Sequence, residues 1–128
     1  MATSQRADIY IKALGVSLTV TKLEEVHGHT LQGKSGDTIA NGTTHHMAFS
    51  GNNFSFYGCE IKLDIKIDDN NNFSCHFWSA YSGKNSFTLN TDGIKEKDKY
   101  EAVVEQEGNY TDQGALGAVT IRVKRKAN

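Results

Sequence analysis

IKLDIKIDDNNNFSCHFW, residues 61–78, carries the clearest hydropathy pattern in the chain. Ile61, Leu63, Ile65 and Ile67 alternate with Lys62, Asp64, Lys66 and Asp68. Successive side chains of a strand leave on opposite faces, so one face here is aliphatic and the other charged, the mark of a half-buried strand. The tract Asp68–Asn72 is turn chemistry. Beyond it, Phe73, Cys75 and Phe77 share one face and Ser74, His76 and Trp78 the other. The spacing predicts a hairpin in which Ile67 faces Phe73 and Ile65 faces Cys75, with Trp78 on the wetter side. Cys59 then lies six residues from the position opposite Cys75, roughly 20 Å away at about 3.3 Å per residue. A disulfide needs Cα atoms within roughly 7 Å, so two buried, reduced thiols are expected.

Similar signals extend both ways. Ile9, Ile11 and Ala13 alternate with polar neighbours, Gly15 turns the chain, and Val16, Leu18 and Val20 alternate again. This predicts a strand, a tight turn and a second strand. His27-Gly28-His29 breaks the run, and Phe54–Tyr57, Phe87–Leu89 and Tyr100–Val104 are strand-like. The stretch TDQGALGAVTIRVKR, residues 111–125, passes from a turn through Gly-Ala-Leu-Gly to an alternating final strand. Two glycines bracketing Ala-Leu imply close backbone approach or a bulge. Strands recur every 8–12 residues, the rhythm of a sandwich or barrel. The 128 residues are read as one all-β domain spanning 1–128, with a single core.

Composition excludes several classes. A net charge of −1 argues against a nucleic-acid binder. No apolar run approaches the ~18–20 residues of a membrane-spanning helix. The first residues lack the apolar core of a secretory signal, so classical secretion is not expected. Five histidines invite a metal reading, but His27/His29 and His45/His46 do not form a converging set of the kind zinc requires. Acidic pairs such as Glu24-Glu25 and Asp68-Asp69 fall on charged faces or in loops. No nucleophile elbow surrounds Ser50. An enzyme is not expected, nor is any cofactor. Four Asn-x-Ser/Thr sequons, at Asn41, Asn53, Asn72 and Asn109, are read as unglycosylated. The informative residues are rings in or beside loops: Tyr81, Phe87 and Tyr110, with Trp78 nearby. An apolar body with a polar tip suits interfaces. Phe87 and Trp78 serve the core equally well, whereas Tyr81 and Tyr110 sit among Ser, Gly, Asn and Thr and are the better contact candidates.

Gly114-Ala115-Leu116-Gly117 and the strand after it resemble the C-terminal signature of the aegerolysins. His27-Gly28 after two strands resembles the family's N-terminal hairpin, which carries Trp at the ring position. Gly58-Cys59-Glu60 resembles its Gly-x-Glu step into a central strand. His76-Phe77-Trp78, with the following Ser82–Phe87 loop, resembles its aromatic loop, in which Tyr81 stands for a Trp. The resemblance covers essentially the whole chain. It implies an antiparallel β-sandwich that binds membrane lipids, sphingolipids with or without sterol, and recruits a larger perforin-like partner to open pores. Bacterial relatives include insecticidal two-component toxins. It further implies synthesis without a classical signal, release or deposition in inclusions, and action at a target-cell membrane.

In that reading Tyr81 and Phe87 insert at headgroup depth. Glu60 bonds a headgroup hydroxyl or ammonium, and Lys84 meets the phosphate. Tyr110 supports the pocket, and His27 takes the place of a family tryptophan. Two other readings stand beside it: a carbohydrate-binding, lectin-like module, and a spore- or crystal-associated structural protein.

Overall fold

A computed structural model describes residues 5–51, 57–111 and 114–126. Among them are ten strands. In chain order these are β1 (Arg6–Leu14), β2 (Leu18–His27), β3 (His29–Gln32), β4 (Thr38–Ile39), β5 (Thr44–Ser50), β6 (Cys59–Asp68), β7 (Asn71–Ser79), β8 (Ser86–Asn90), β9 (Tyr100–Gln106) and β10 (Gly117–Arg125). They form two five-stranded sheets, ordered β3-β5-β1-β10-β9 and β4-β2-β6-β7-β8. All strand pairings within the sheets are antiparallel except β1 with β10, where the first and last strands run side by side. The architecture is a β-sandwich, as the strand rhythm requires. Of the strand-like stretch Phe54–Tyr57, only Tyr57 lies within the described residues.

The alternating residues meet in the middle. Ile9, Ile11, Met47, Phe49, Ile121 and Val123 from the first sheet face Leu18, Val20, Ile61, Leu63, Ile65, Phe73 and Phe77 from the second, all buried. Phe49 and Phe77 contact edge to face, with centroids 5.3 Å apart. Each such side chain contributes roughly 1.5–3 kcal/mol by leaving water, so this layer is the main source of stability.

Two sequence expectations are corrected. β1 and β2 are not a hairpin: they belong to opposite sheets. The turn at Gly15 carries the chain across the sandwich, so Ile9 and Ile11 oppose Leu18 and Val20 through the core. The β6–β7 hairpin is also tighter than its composition suggests. Ile65 faces Phe73 and Leu63 faces Cys75, with an irregularity between Lys66 and Asp68. The reason is Asn71, which joins the strand instead of the turn. Its side chain is fully buried, donating to Asp68 Oδ1 (2.8 Å) and Glu96 Oε1 (2.9 Å). It accepts the Lys95 and Glu96 amides, each at 3.0 Å. A buried amide satisfied on both ends is stable where an unsatisfied one costs heavily. Cys59 and Cys75 are free and buried. Burial pushes both thiols up to about 12, so they stay protonated at neutral pH.

Gly114–Gly117 is a clasp between the sheets. Both glycines take the left-handed backbone (φ 90° and 78°), which aims Leu116 inward to complete burial. The Gly114 amide donates to Ala80 O (2.8 Å), and the Leu116 amide donates to Arg6 O (2.9 Å). The buried Ser79 hydroxyl donates to Gly114 O, and buried Asn85 bonds both the Ala80 amide (2.7 Å) and Ala115 O (3.2 Å). One short segment thus joins the start of β1 to the end of β7.

Two predictions follow from this packing. Leu116→Ala opens a cavity at the clasp and lowers unfolding free energy by about 2–5 kcal/mol in urea titrations. At the opposite end, hydrogen bonds from Asn70 and Asn71, then Tyr100, hold the Asp68 carboxyl below the usual range. Because its folded value is depressed, its stabilisation is complete above the unfolded value near 3.9. It is lost as pH falls through the folded value. Asp68→Asn therefore destabilises at pH 7, and the gap to wild type narrows in melts at pH 3.

Candidate functional site

The register gathers chemistry at the clasp end of the second sheet. His27 pairs with Glu60, Glu60 with Trp78, and Trp78 with Ser86. Directly opposed residues share a face, and since Ile61 and Phe77 point inward, this row points outward. His76 lies one step along the same face, opposite Lys62.

Glu60 is the centre. Its side chain is only 15% exposed, with Oε2 2.6 Å from His76 Nε2 and Oε1 3.9 Å from His27 Nε2. Two exposed rings flank it. Tyr57, 61% exposed, stacks on His27 with centroids 4.5 Å apart and 9° between planes. Trp78, 38% exposed, donates its indole N–H to the Tyr57 carbonyl at 2.8 Å. Tyr57 is thus held by its ring on one side and its backbone on the other. The next residue, Gly58, has φ 78°. A Cβ there would collide with Ser79 O and the Tyr81 amide. Only glycine lets the chain turn this closely against the end of β7, which is the physical content of the Gly58-Cys59-Glu60 step.

The six residues expected from sequence divide. His27 and Glu60 are brought together in the row. Tyr81 is half-buried beside Gly58, and Lys84 is exposed in the following loop. Phe87 is a correction to the expected rim ring: it pairs with Phe77 on the core side, rings 5.8 Å apart and 17° from parallel, and is half-buried. Tyr110 also packs against the core, and burial raises its hydroxyl pKa. Neither ring lies on the outer face. Sequence reasoning left out Tyr57 and His76 and left Trp78 between core and rim. For Trp78 the reason is the hairpin register. With Ile67 opposite Phe73, Glu60 would face Ala80 and Lys62 would face Trp78. The observed register returns Trp78 to Glu60. Among the described residues no group of three His, Cys, Asp or Glu is placed to hold a metal.

A carboxylate shielded by imidazoles and bordered by open ring faces is a surface for binding a polar or cationic group against aromatic walls. The aegerolysin family profile matches residues 21–126. The chain belongs to the aegerolysin family, whose members are generally non-enzymatic lipid-binding proteins. No curated protein matches it in sequence. Its fold is shared with IP-1A from Alcaligenes faecalis at TM-score 0.80 and 22% identity, covering 98% of this chain and 94% of that one. RahU, solved in complex with a TRIS molecule, superposes at TM-score 0.77 and 15% identity, covering 97% of each chain. The lipid binding protein Nakanori superposes at TM-score 0.66 and 11% identity, covering 96% of this chain and 71% of that one.

Gly58→Ala tests the assembly of this site. The strained backbone and the collision with β7 lower stability by about 1–3 kcal/mol. Because Trp78 is the single tryptophan, the variant's emission spectrum also reports loss of the Tyr57–indole contact, and an unaltered spectrum and melt would remove Gly58 from this role.

Proposed function

We propose that this aegerolysin docks on membranes and reads a sphingolipid-type headgroup with the rim formed by His27, Tyr57, Glu60 and Trp78. The observation that carries the reading is Glu60, a shielded carboxylate between two histidines with exposed Tyr57 and Trp78 beside it. Ring faces attract an ammonium through their quadrupoles, and the carboxylate supplies the counter-charge. Tyr and Trp also settle at headgroup depth, where one end is apolar and the other wet. Tyr81 supplies a further ring and Lys84 a cation for the lipid phosphate. Phe87 and Tyr110 act from behind, by holding the strands that carry the rim. The likeness in fold to the lipid binding protein Nakanori supports a lipid as the ligand.

No helix among the described residues is long and apolar enough to cross a membrane. The proposed mode is docking at the interface, driven by a modest ring area and headgroup contacts. In this reading the chain is the lipid-recognising part of a cytolytic, insecticidal-type toxin. It acts at the target-cell surface. A larger perforin-like partner opens the pore.

Sedimentation with phosphatidylcholine liposomes, alone or with sphingomyelin or ceramide phosphoethanolamine, each with and without cholesterol, tests the proposal. Wild type co-sediments with one sphingolipid set, and its Trp78 emission moves to shorter wavelength. The Tyr57→Ala, Trp78→Ala double variant keeps its thermal midpoint within a few degrees and binds about tenfold more weakly or worse, as loss of two aromatic anchors requires. Indifference to sphingolipid, or full binding by the double variant, refutes the assignment.

A further inference from the structure

The opposite outer face, on the first sheet, holds a second feature that the rim does not use. Its outward residues come from β1, β10 and β9. Thr120 pairs with Gln106 but Ile121 pairs with Val104, so Glu105 is an extra residue in β9. A bulge of this kind breaks the alternation and re-aims a side chain. Here it brings both Glu105 and Gln106 to the outer face, opposite Thr120. The small Ala118 and Thr120 form a low floor on β10, and Tyr10 and Lys12 of β1 form the facing wall. The result is an open cleft of about 280 Å³, near the small end of ligand sites.

The walls have a definite character. Tyr10 stacks on His46 from β5 with centroids 4.4 Å apart and 6° between planes. Its cross-strand partners are His46 on one side and Thr120 on the other. The remaining ring face is therefore turned to the cleft. The charges cancel. Lys12 Nζ lies 2.5 Å from Glu105 Oε2, and Arg122 lies 3.6 Å from both Glu101 and Glu105. The Lys12 hydrogen bond holds the Glu105 carboxyl below its ordinary range, so the pair is ionised at neutral pH and offers no net charge to an ion.

We propose that this cleft is a binding site for a neutral pyranose ring, free or at the end of a glycan. One aromatic face takes the apolar side of the sugar. The Thr120 hydroxyl, the Gln106 amide and the Lys12–Glu105 pair provide fixed donors and acceptors for its hydroxyls. The site is independent of the lipid rim, which occupies the outer face of the other sheet, with the core between them.

Saturation-transfer NMR with the methyl glycosides of glucose, galactose, mannose and N-acetylglucosamine, together with glucuronate, tests it. At least one neutral glycoside receives saturation from the wild-type protein, with millimolar affinity and a preference over glucuronate. Gln106→Ala, at an exposed edge position, and Tyr10→Leu each weaken that binding about threefold to tenfold, the size of one hydrogen bond or one ring contact. Liposome sedimentation is unchanged in the Gln106→Ala variant, which separates this site from the rim. Absence of transfer to every neutral glycoside, a preference for glucuronate, or full binding by both variants overturns the proposal. A glycan array with the same Gln106→Ala control then distinguishes a terminal sugar on a glycan from the free ring.

Discussion

The bonds between Gly114–Leu116 and Ser79–Asn85 are the constraint on which the functional end depends. Two sheets in a sandwich share side-chain packing but no ladder hydrogen bonds, so nothing intrinsic fixes one sheet end against the other. Here buried polar groups do so. Ser79 and Asn85 are nearly inaccessible and must find partners inside. Those partners are the backbone of the Gly-Ala-Leu-Gly segment. The Leu116 carbonyl in turn accepts the Asn109 amide at 2.8 Å, so the β9–β10 connection is held as well. The same contacts fix Ala80 and hence the approach of Gly58 to Tyr81. From there the path runs through the Tyr57 carbonyl to the Trp78 indole. A signature far along the chain from the rim thus positions it mechanically.

Period-two alternation made the sheets legible. Ile61–Ile67 and Val119–Val123 needed no tertiary information to reveal an apolar face; Ile61, Leu63, Ile65, Val119, Ile121 and Val123 are in the core, and Ile67 packs against its edge. What alternation does not encode is which strand lies beside which. Gly15 could close a hairpin or carry the chain across the sandwich, and the local sequence is compatible with both. The choice is made by β10, which takes the place beside β1. The Asp68–Asn72 tract was similarly ambiguous. Its asparagines are ordinary turn residues until Asn71 is seen to be buried among Asp68, Lys95 and Glu96, the last two from a distant loop.

The site was legible to the extent that it depends on a single strand. His27 ends β2 just before Gly28 and Glu60 opens β6 just after Gly58, and both lie in the outer row. Ring placement was harder, because Phe87 and Trp78 have similar local surroundings and opposite fates. Parity within β7 and β8 decides between them. Trp78 shares a face with Glu60, whereas Phe87 is directly opposite Phe77 and so faces the core. A two-residue error in the hairpin keeps each residue on its face but hides the direct Glu60–Trp78 pairing, and the β7–β8 register is undetermined by it. Tyr57 lay beyond any such rule, since its position rests on stacking with His27 and on the Gly58 turn.

The separation of clasp, core and rim accounts for how this fold persists when sequence does not. A sandwich core asks for apolar residues of suitable volume at alternate positions, and such positions exchange Val, Ile, Leu, Phe and Met at small cost. A fold shared at TM-score 0.80 with only 22% identity is what that tolerance produces. The rim obeys a different rule. Its residues lie on the outer face, away from the packed layer between the sheets, so they can change without repacking the core. Here the rim presents His27 stacked on Tyr57, and Trp78 is the single tryptophan of the chain. The chemistry the proposed rim offers is a carboxylate with two imidazole partners beside the exposed Tyr57 and Trp78 rings. Those are local features, and they do not travel with the sandwich that supports them.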